Sequence, residues 1–252
     1  MRRILSIAFI LFGAALMVAC DTLEQKEAKQ KTEKGKKDGV NKQFWPNGKT
    51  KIEITLKDGQ KHGPSRNYYR DGTLHQEINY SYNRKHGTAT TYYENGNAYQ
   101  STPYVNGRIH GIRKKYRQNG DLYAEIPYQN NQPGKGLKEY TLDGKLKKEY
   151  PRIIVETVDN ILRKDQYIVR VHLSDNSKNV EFHLGKLNEE GFLEDRLFRT
   201  YPQRNGVMEL KYNLPKGTFV METLHIIANV KTRLGNPYII THSFNLAAEN
   251  RR

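Results

Sequence analysis

Asn47-Gly48, Asp71-Gly72, Asn95-Gly96, Asn119-Gly120 and Asp143-Gly144 recur every 24 residues. Phe44, Tyr68, Tyr92, Tyr116 and Tyr140 keep the same interval. So do His62-Gly63, His86-Gly87 and His110-Gly111, and so do Leu56, Tyr80, Tyr104 and Tyr128. Several series sharing one period define a structural repeat, a unit that is stable only when stacked on its neighbours. Asn-Gly or Asp-Gly between β-forming runs is a strong hairpin signal, because a type I′ turn needs positive φ at both central residues. A second turn falls half a repeat later, at Asp58-Gly59, Tyr82-Asn83, Asn106-Gly107 and Asn130-Asn131. Each repeat is therefore expected to be two antiparallel strands, and the series a long meander. Glycine and β-formers at this density exclude helix. The last repeat degenerates at Pro133-Gly134-Lys135-Gly136.

A two-residue turn at Asn47-Gly48 and a four-residue turn over 58–61 predict a register. Leu56 then faces Gly63, Tyr80 faces Gly87 and Tyr104 faces Gly111, so a large side chain covers each strand glycine. The same register sets Glu53 beside Arg66, Arg66 beside Glu77, Glu125 beside Lys138 and Lys138 beside Glu149. Such pairs contribute roughly 0.2–1 kcal/mol each. One face is apolar (Ile52, Ile54, Leu74, Ile78, Leu122 and Ile126 among others) and must be covered by curvature, a second domain or a partner. The other carries the charge pairs and the tyrosine row, joined by Tyr99 and Tyr123. That row is either cross-strand packing or a stacking and hydrogen-bonding platform for a protein or glycan. The candidate contact residues are Tyr68, Tyr92, Tyr99, Tyr116 and Tyr123, with Arg113, Lys114 and Lys115 beside them. His62, His86 and His110 lie two strands apart, about 9–10 Å. Zn–N bonds of about 2.0–2.1 Å cannot bridge that spacing, so no metal site is expected there.

The pattern from Tyr68-Tyr69-Arg70-Asp71-Gly72 through Lys85-His86-Gly87 resembles the variant MORN repeats of bacterial proteins, over residues 44–150. The resemblance implies protein or lipid contacts and supplies no catalytic residues. Some proteins with such repeats are antitoxin- or immunity-like, which implies tight protein binding.

At the other end of the chain, Arg2 and Arg3 precede an apolar stretch over 4–18, too short for a spanning helix but suited to a secretory h-region. It closes on Met17-Val18-Ala19-Cys20-Asp21, which resembles the lipobox of bacterial lipoproteins, with Cys20 as the lipidated residue. This is the sole cysteine, so no intramolecular disulfide can form. Two or three acyl chains would anchor the chain stably. Asp21 resembles an inner-membrane retention signal in enteric-type sorting; other systems read that site differently, so both membranes stay open. Residues 21–42 are rich in Lys, Glu, Gln and Gly and read as a flexible tether.

The expected location is the bacterial cell envelope, with the membrane as one partner through lipid. Lys+Arg exceed Asp+Glu by 42 to 27, which favours anionic partners. Outside the cytoplasm nucleic acid drops out, leaving a protein or an envelope polysaccharide.

From 152 the period stops. Residues 152–158, 166–173, 180–184, 207–212, 222–230 and 237–244 alternate or run apolar like strands, with Leu234-Gly235-Asn236 linking the last two. Residues 188–199 read as a short helix or a loop. Short strands at this spacing suggest a β-sandwich similar to immunoglobulin-like modules. His172, His183, His225 and His242 sit inside these strands without metal-protease spacing. No serine lies in a nucleophile-elbow context, and Gly-rich phosphate loops are absent from the sequence. The chain therefore reads as all-β: signal peptide 1–20, tether 21–42, an antiparallel meander of 24-residue β-hairpin, MORN-like repeats over 43–150, and an immunoglobulin-like β-sandwich over 151–252. The expected role is a non-catalytic binding adaptor without cofactor. The rivals are an immunity protein that neutralises a toxin and, from another class, an enzyme acting on wall polymer.

Overall fold

The computed structural model describes residues 38–194, the backbone of 199–200, and 203–252. Cys20, the signal peptide and most of the tether lie outside the described residues. The chain divides into two compact units, the first ending at Gly96 and the second spanning Asn97–Arg252.

The described part of the first unit is an antiparallel meander of β1 (Gly39–Phe44), β2 (Thr50–Lys57), β3 (Gln60–Tyr68), β4 (Leu74–Ser81) and β5 (Arg84–Tyr92). β1 starts inside the expected tether, because Val40 and Asn41 pair with Thr55 and Ile54. The predicted turn lengths are corrected in both places. Gly48 N–H donates to Trp45 O and Trp45 N–H to Lys49 O, and of the Asn47-Gly48 pair only Gly48 has positive φ. This is a three-residue connection with a glycine bulge rather than a type I′ turn. The type I′ geometry occurs half a repeat later. Asp58 and Gly59 have φ of 51° and 71°, and Lys57 pairs directly with Gln60.

The short turn displaces the pairing next to it. Leu56 faces Lys61, not Gly63, and Tyr80 faces Lys85, not Gly87; in the second unit Tyr104 faces Ile109, not Gly111. Ile54 still pairs with Ser65, so Thr55 alone spans His62-Gly63-Pro64. The His-Gly dipeptide is thus the bulge that absorbs two extra residues. An even surplus leaves every side chain on its expected face. Aromatic cover comes from the following strand instead: Gly63 pairs with Tyr80, and Gly111 with Tyr128. Glu53 pairs with Arg66 and Arg66 with Glu77 as expected.

Within each unit, neighbouring repeats are stapled by groups that share the period. Trp45 Nε1 donates to Tyr68 O at 3.2 Å, Tyr69 Oη to Tyr92 O at 2.9 Å, and Arg117 to Tyr140 O at 2.7 Å. At the type I′ end, Lys61 N–H donates to Asn83 Oδ1 and Ile109 N–H to Asn131 Oδ1. Among the described residues of the first unit, none is fully buried. Its order rests on ladders, staples and half-buried side chains.

The second unit opens with β6 (Ala98–Val105), β7 (Arg108–Ile109), β8 (Gly111–Tyr116), β9 (Leu122–Gln129), β10 (Gln132–Pro133) and β11 (Lys138–Glu139). β8 lies between β6 and β9, and both β10 and β11 pair with β9. Lys138 faces Glu125 as expected. The expected Lys138–Glu149 pair belongs to no strand pairing, because the ladder closes on a Tyr140–Leu146 bridge and residues 147–152 form no strand.

After Tyr150 come β12 (Ile153–Asn160), a four-residue helix α1 (Ile161–Lys164), β13 (Gln166–Leu173), β14 (Val180–Leu184) and β15 (Arg199–Thr200). β16 (Gln203–Arg204), β17 (Val207–Asn213), β18 (Phe219–Lys231) and β19 (Pro237–Glu249) follow. They form two antiparallel sheets, β12-β13-β17-β16 and β15-β14-β18-β19. Lettered in chain order these are A-B-E-D and C′-C-F-G, the immunoglobulin arrangement. Val169, Val171, Leu173 and Met208 from one sheet meet Phe182, Ile226, Ala228 and Leu246 from the other in a single buried cluster. Residues 188–194, the described part of the segment expected as a short helix or a loop, form a loop with a turn at 189–190.

Candidate binding surface

Alternation along β6, β8 and β9 sorts the second unit's sheet into two faces. Ser101 pairs with Lys114 and Lys114 with Glu125, whereas Gln100 pairs with Lys115 and Lys115 with Ala124. Tyr99, Ile112, Lys114, Tyr116, Tyr123 and Glu125 therefore share one face. Thr102, Arg113, Lys115, Ala124, Ile126 and Glu139 share the other. The basic triplet Arg113-Lys114-Lys115, read as one patch from the sequence, is divided between the two.

The second face is covered within its own unit. Ala124 and Ile126 have no exposure, and Thr102 and Glu139 are buried. Glu139 accepts from Thr232 Oγ1 at 2.6 Å, from Asn236 Nδ2 at 2.8 Å and from Lys147 Nζ at 3.3 Å. Lys115 Nζ donates to Asn236 Oδ1 at 2.7 Å. The tip of the β18–β19 hairpin is thus pinned to the repeat sheet through a buried carboxylate, with Tyr150 stacked on Tyr238 at 4.3 Å beside it. Burial pushes the Lys115 ammonium pKa down, with Arg113 adding to the effect and Glu139 opposing it. Burial, reinforced by Glu139, pushes the Tyr150 phenol up to about 12. Arg113 stacks over Tyr128 at 4.6 Å and donates to its hydroxyl.

The loop before β15 docks on the degenerate repeat. Gly134 bridges Phe192, and Lys135 N–H donates to Gly191 O. A Cβ on residue 134 would stand 2.4 Å from the Phe192 ring. The period would place a His-Gly dipeptide at 134–135, and its replacement by Gly134-Lys135 is where a loop of the sandwich lies against the sheet.

The first face keeps exposed apolar and charged groups: Tyr99 is 39% exposed and Ile112 45%. Glu125 lies 3.9 Å from both Lys114 and Lys138 and accepts from Tyr140 Oη at 2.9 Å. That hydrogen bond, then burial, raises the Tyr140 pKa. Arg117 sits over Tyr123 at 5.4 Å, and Tyr123 also packs against the Ala124–Ile126 cluster. In the first unit Tyr68 Oη donates to Glu53 at 2.9 Å, the same contact 72 residues earlier. Glu53 is further held by Lys42 at 2.7 Å, which with Tyr68 and Arg66 lowers its pKa against the opposing effect of burial. Tyr92 accepts the Tyr69 hydroxyl through its carbonyl. The tyrosine row thus serves the sheet's own bonding at Tyr68 and Tyr140, and its most exposed described neighbour is Tyr99. Of the histidines, His62 packs edge-on against Tyr82 at 4.7 Å. Among the described residues no three His, Cys, Asp or Glu side chains cluster to hold a metal ion.

Glu139 was missed by the sequence reading. Its signal was parity: it sits two residues from Leu137, on the face that Leu137 helps to bury.

Residues 37–58, 61–82, 85–106 and 109–130 match the model of the MORN repeat variant. The chain carries four MORN-variant repeats. Each match takes in two consecutive strands and the glycine-bulge turn between them, and neighbouring matches meet at the type I′ turns. MORN repeats are generally protein- or membrane-binding and of a non-catalytic type. The sandwich lies outside the matched residues. No curated protein matches the chain.

Proposed function

We propose that this chain is a lipid-anchored protein of the bacterial cell envelope, attached through Cys20, whose MORN sheet is a non-catalytic docking surface for a protein partner. The observation that carries the binding role is the asymmetry of the second unit's sheet. One face is occupied by the sandwich, through Glu139, Lys115 and Asn236. The opposite face leaves Tyr99, Ile112 and Lys114 accessible beside Tyr116. An exposed tyrosine with an aliphatic and a cationic neighbour suits a protein contact, since the ring supplies apolar area and a polar tip together. Anchoring is supported by the Ala19-Cys20-Asp21 sequence after a short apolar segment.

Two measurements test the parts separately. Metabolic labelling with an alkyne fatty acid should mark the wild type and not Cys20→Ser; equal labelling of both ends the anchoring claim. A photo-crosslinking residue at position 99 should capture one discrete partner in cells, and Lys114→Glu should weaken that capture several-fold. Capture unchanged by Lys114→Glu, or none at position 99, overturns the contact assignment.

A further inference from the structure

A cleft of about 1390 Å³ lies within the second unit. Its walls are residues 141–151 after the last repeat, the β13–β14 turn at 174–179, and the tip of the β18–β19 hairpin at 230–234. It is larger than the roughly 300–1,000 Å³ that small-molecule sites occupy, so it suits a segment of polymer.

Its charges are unevenly satisfied. Lys145 pairs with Asp143 at 2.7 Å, and Lys147 with Glu139 at 3.3 Å. Lys148, Lys231 and Arg233 line the same cleft with Glu149 and Asp175; all five are exposed and make no ion pair among the described residues, and the lining as a whole carries five cations against three carboxylates. Leu146 and Leu234 are 46% and 48% exposed at the same place.

The geometry points to this cleft as a binding site for an acidic peptide segment that carries apolar residues. The excess of cations over carboxylates in the lining favours an anionic ligand. The two leucines separate a peptide from a phosphate polymer, which offers no apolar side chain for them to cover. The concave shape separates it from a flat bilayer. This assignment stands independently of the Tyr99 face.

The test uses the full-length chain in non-ionic detergent and a fluorescein-labelled peptide of four Glu-Leu repeats, followed by anisotropy. Saturable binding is expected. It should weaken at least tenfold for the matched Gln-Leu peptide and for Lys148→Gln/Lys231→Gln/Arg233→Gln together, and should fall as salt rises. Because the three side chains are exposed, the triple variant should keep its thermal midpoint; if it does not, Arg233→Gln alone should still weaken binding about threefold. Tyr99→Ala with Lys114→Glu should leave this binding intact. Equal affinity for the Gln-Leu peptide, or for the triple variant, overturns the site. So does peptide binding lost with the Tyr99 and Lys114 changes, which would place it on the sheet face. Tighter, triple-sensitive binding to phosphatidylglycerol vesicles would make the cleft a membrane contact and also overturn it.

Discussion

The side-chain amide of Asn236 donates to the carboxylate of Glu139 at 2.8 Å, across 97 residues of sequence, with both residues buried. The contact joins the tip of a sandwich hairpin to the last short strand of the repeat sheet. It explains how a thin sheet acquires a core in the second unit.

Removing the carboxylate leaves Lys147, Thr232 and Asn236 facing an apolar gap. Breaking a buried charged contact from one side costs about 3–5 kcal/mol, and Lys147 is partly solvated, which favours the lower end. Glu139→Ala should therefore lose about 3 kcal/mol in urea unfolding, and Asn236→Ala about 1–3 kcal/mol. The double variant should lose less than the sum, since the residues share partners. Strict additivity would show that the contact does not couple the two elements.

Tyr150 gives the second unit an alkaline limit. Its folded-state pKa is raised from 10 to about 12, so the folded chain holds the phenolic proton where an unfolded chain has released it. The stabilisation is complete below pH 10 and is lost as pH rises through 12, because the unfolded state there binds fewer protons. Tyr128 and Tyr238 are raised by burial and act in the same direction. Urea midpoints between pH 9 and pH 11.5 should decline in the wild type and decline less steeply in Tyr150→Phe. Parallel curves would remove Tyr150 from the account.

Gly134 is small because Phe192 occupies the space beside it. A Cβ there would lie 2.4 Å from Cδ1 of the ring, so Gly134→Ala must displace the loop. Overpacking of this kind costs about 1–3 kcal/mol. In a Phe192→Ala background the same substitution should cost much less, a difference that equilibrium unfolding of the four variants would measure. An equal cost in both backgrounds would mean that backbone freedom at 134, and not the ring, decides it.

Much of this architecture was legible in the chain. Turn residues recur because specific φ values recur, and β13 and β14 follow apolar runs whose bounds match the strands. The cross-strand pairs Glu53–Arg66 and Glu125–Lys138 followed from the period once a register was assumed. The turn types were exchanged, however. Asn-Gly suits either a type I′ turn or a glycine bulge, and the choice depends on how each strand continues into its neighbour. The His-Gly bulge was invisible for the same reason.

What the sequence by itself determined is local and periodic: hairpins, strand alternation and the repeat of 24, because dihedral preference and side-chain parity act between near neighbours. What would cover the apolar face, and that Glu139 would sit unexposed against Asn236, were decided by tertiary structure. Burial belongs to surfaces that meet, and the surfaces that meet here come from segments about a hundred residues apart.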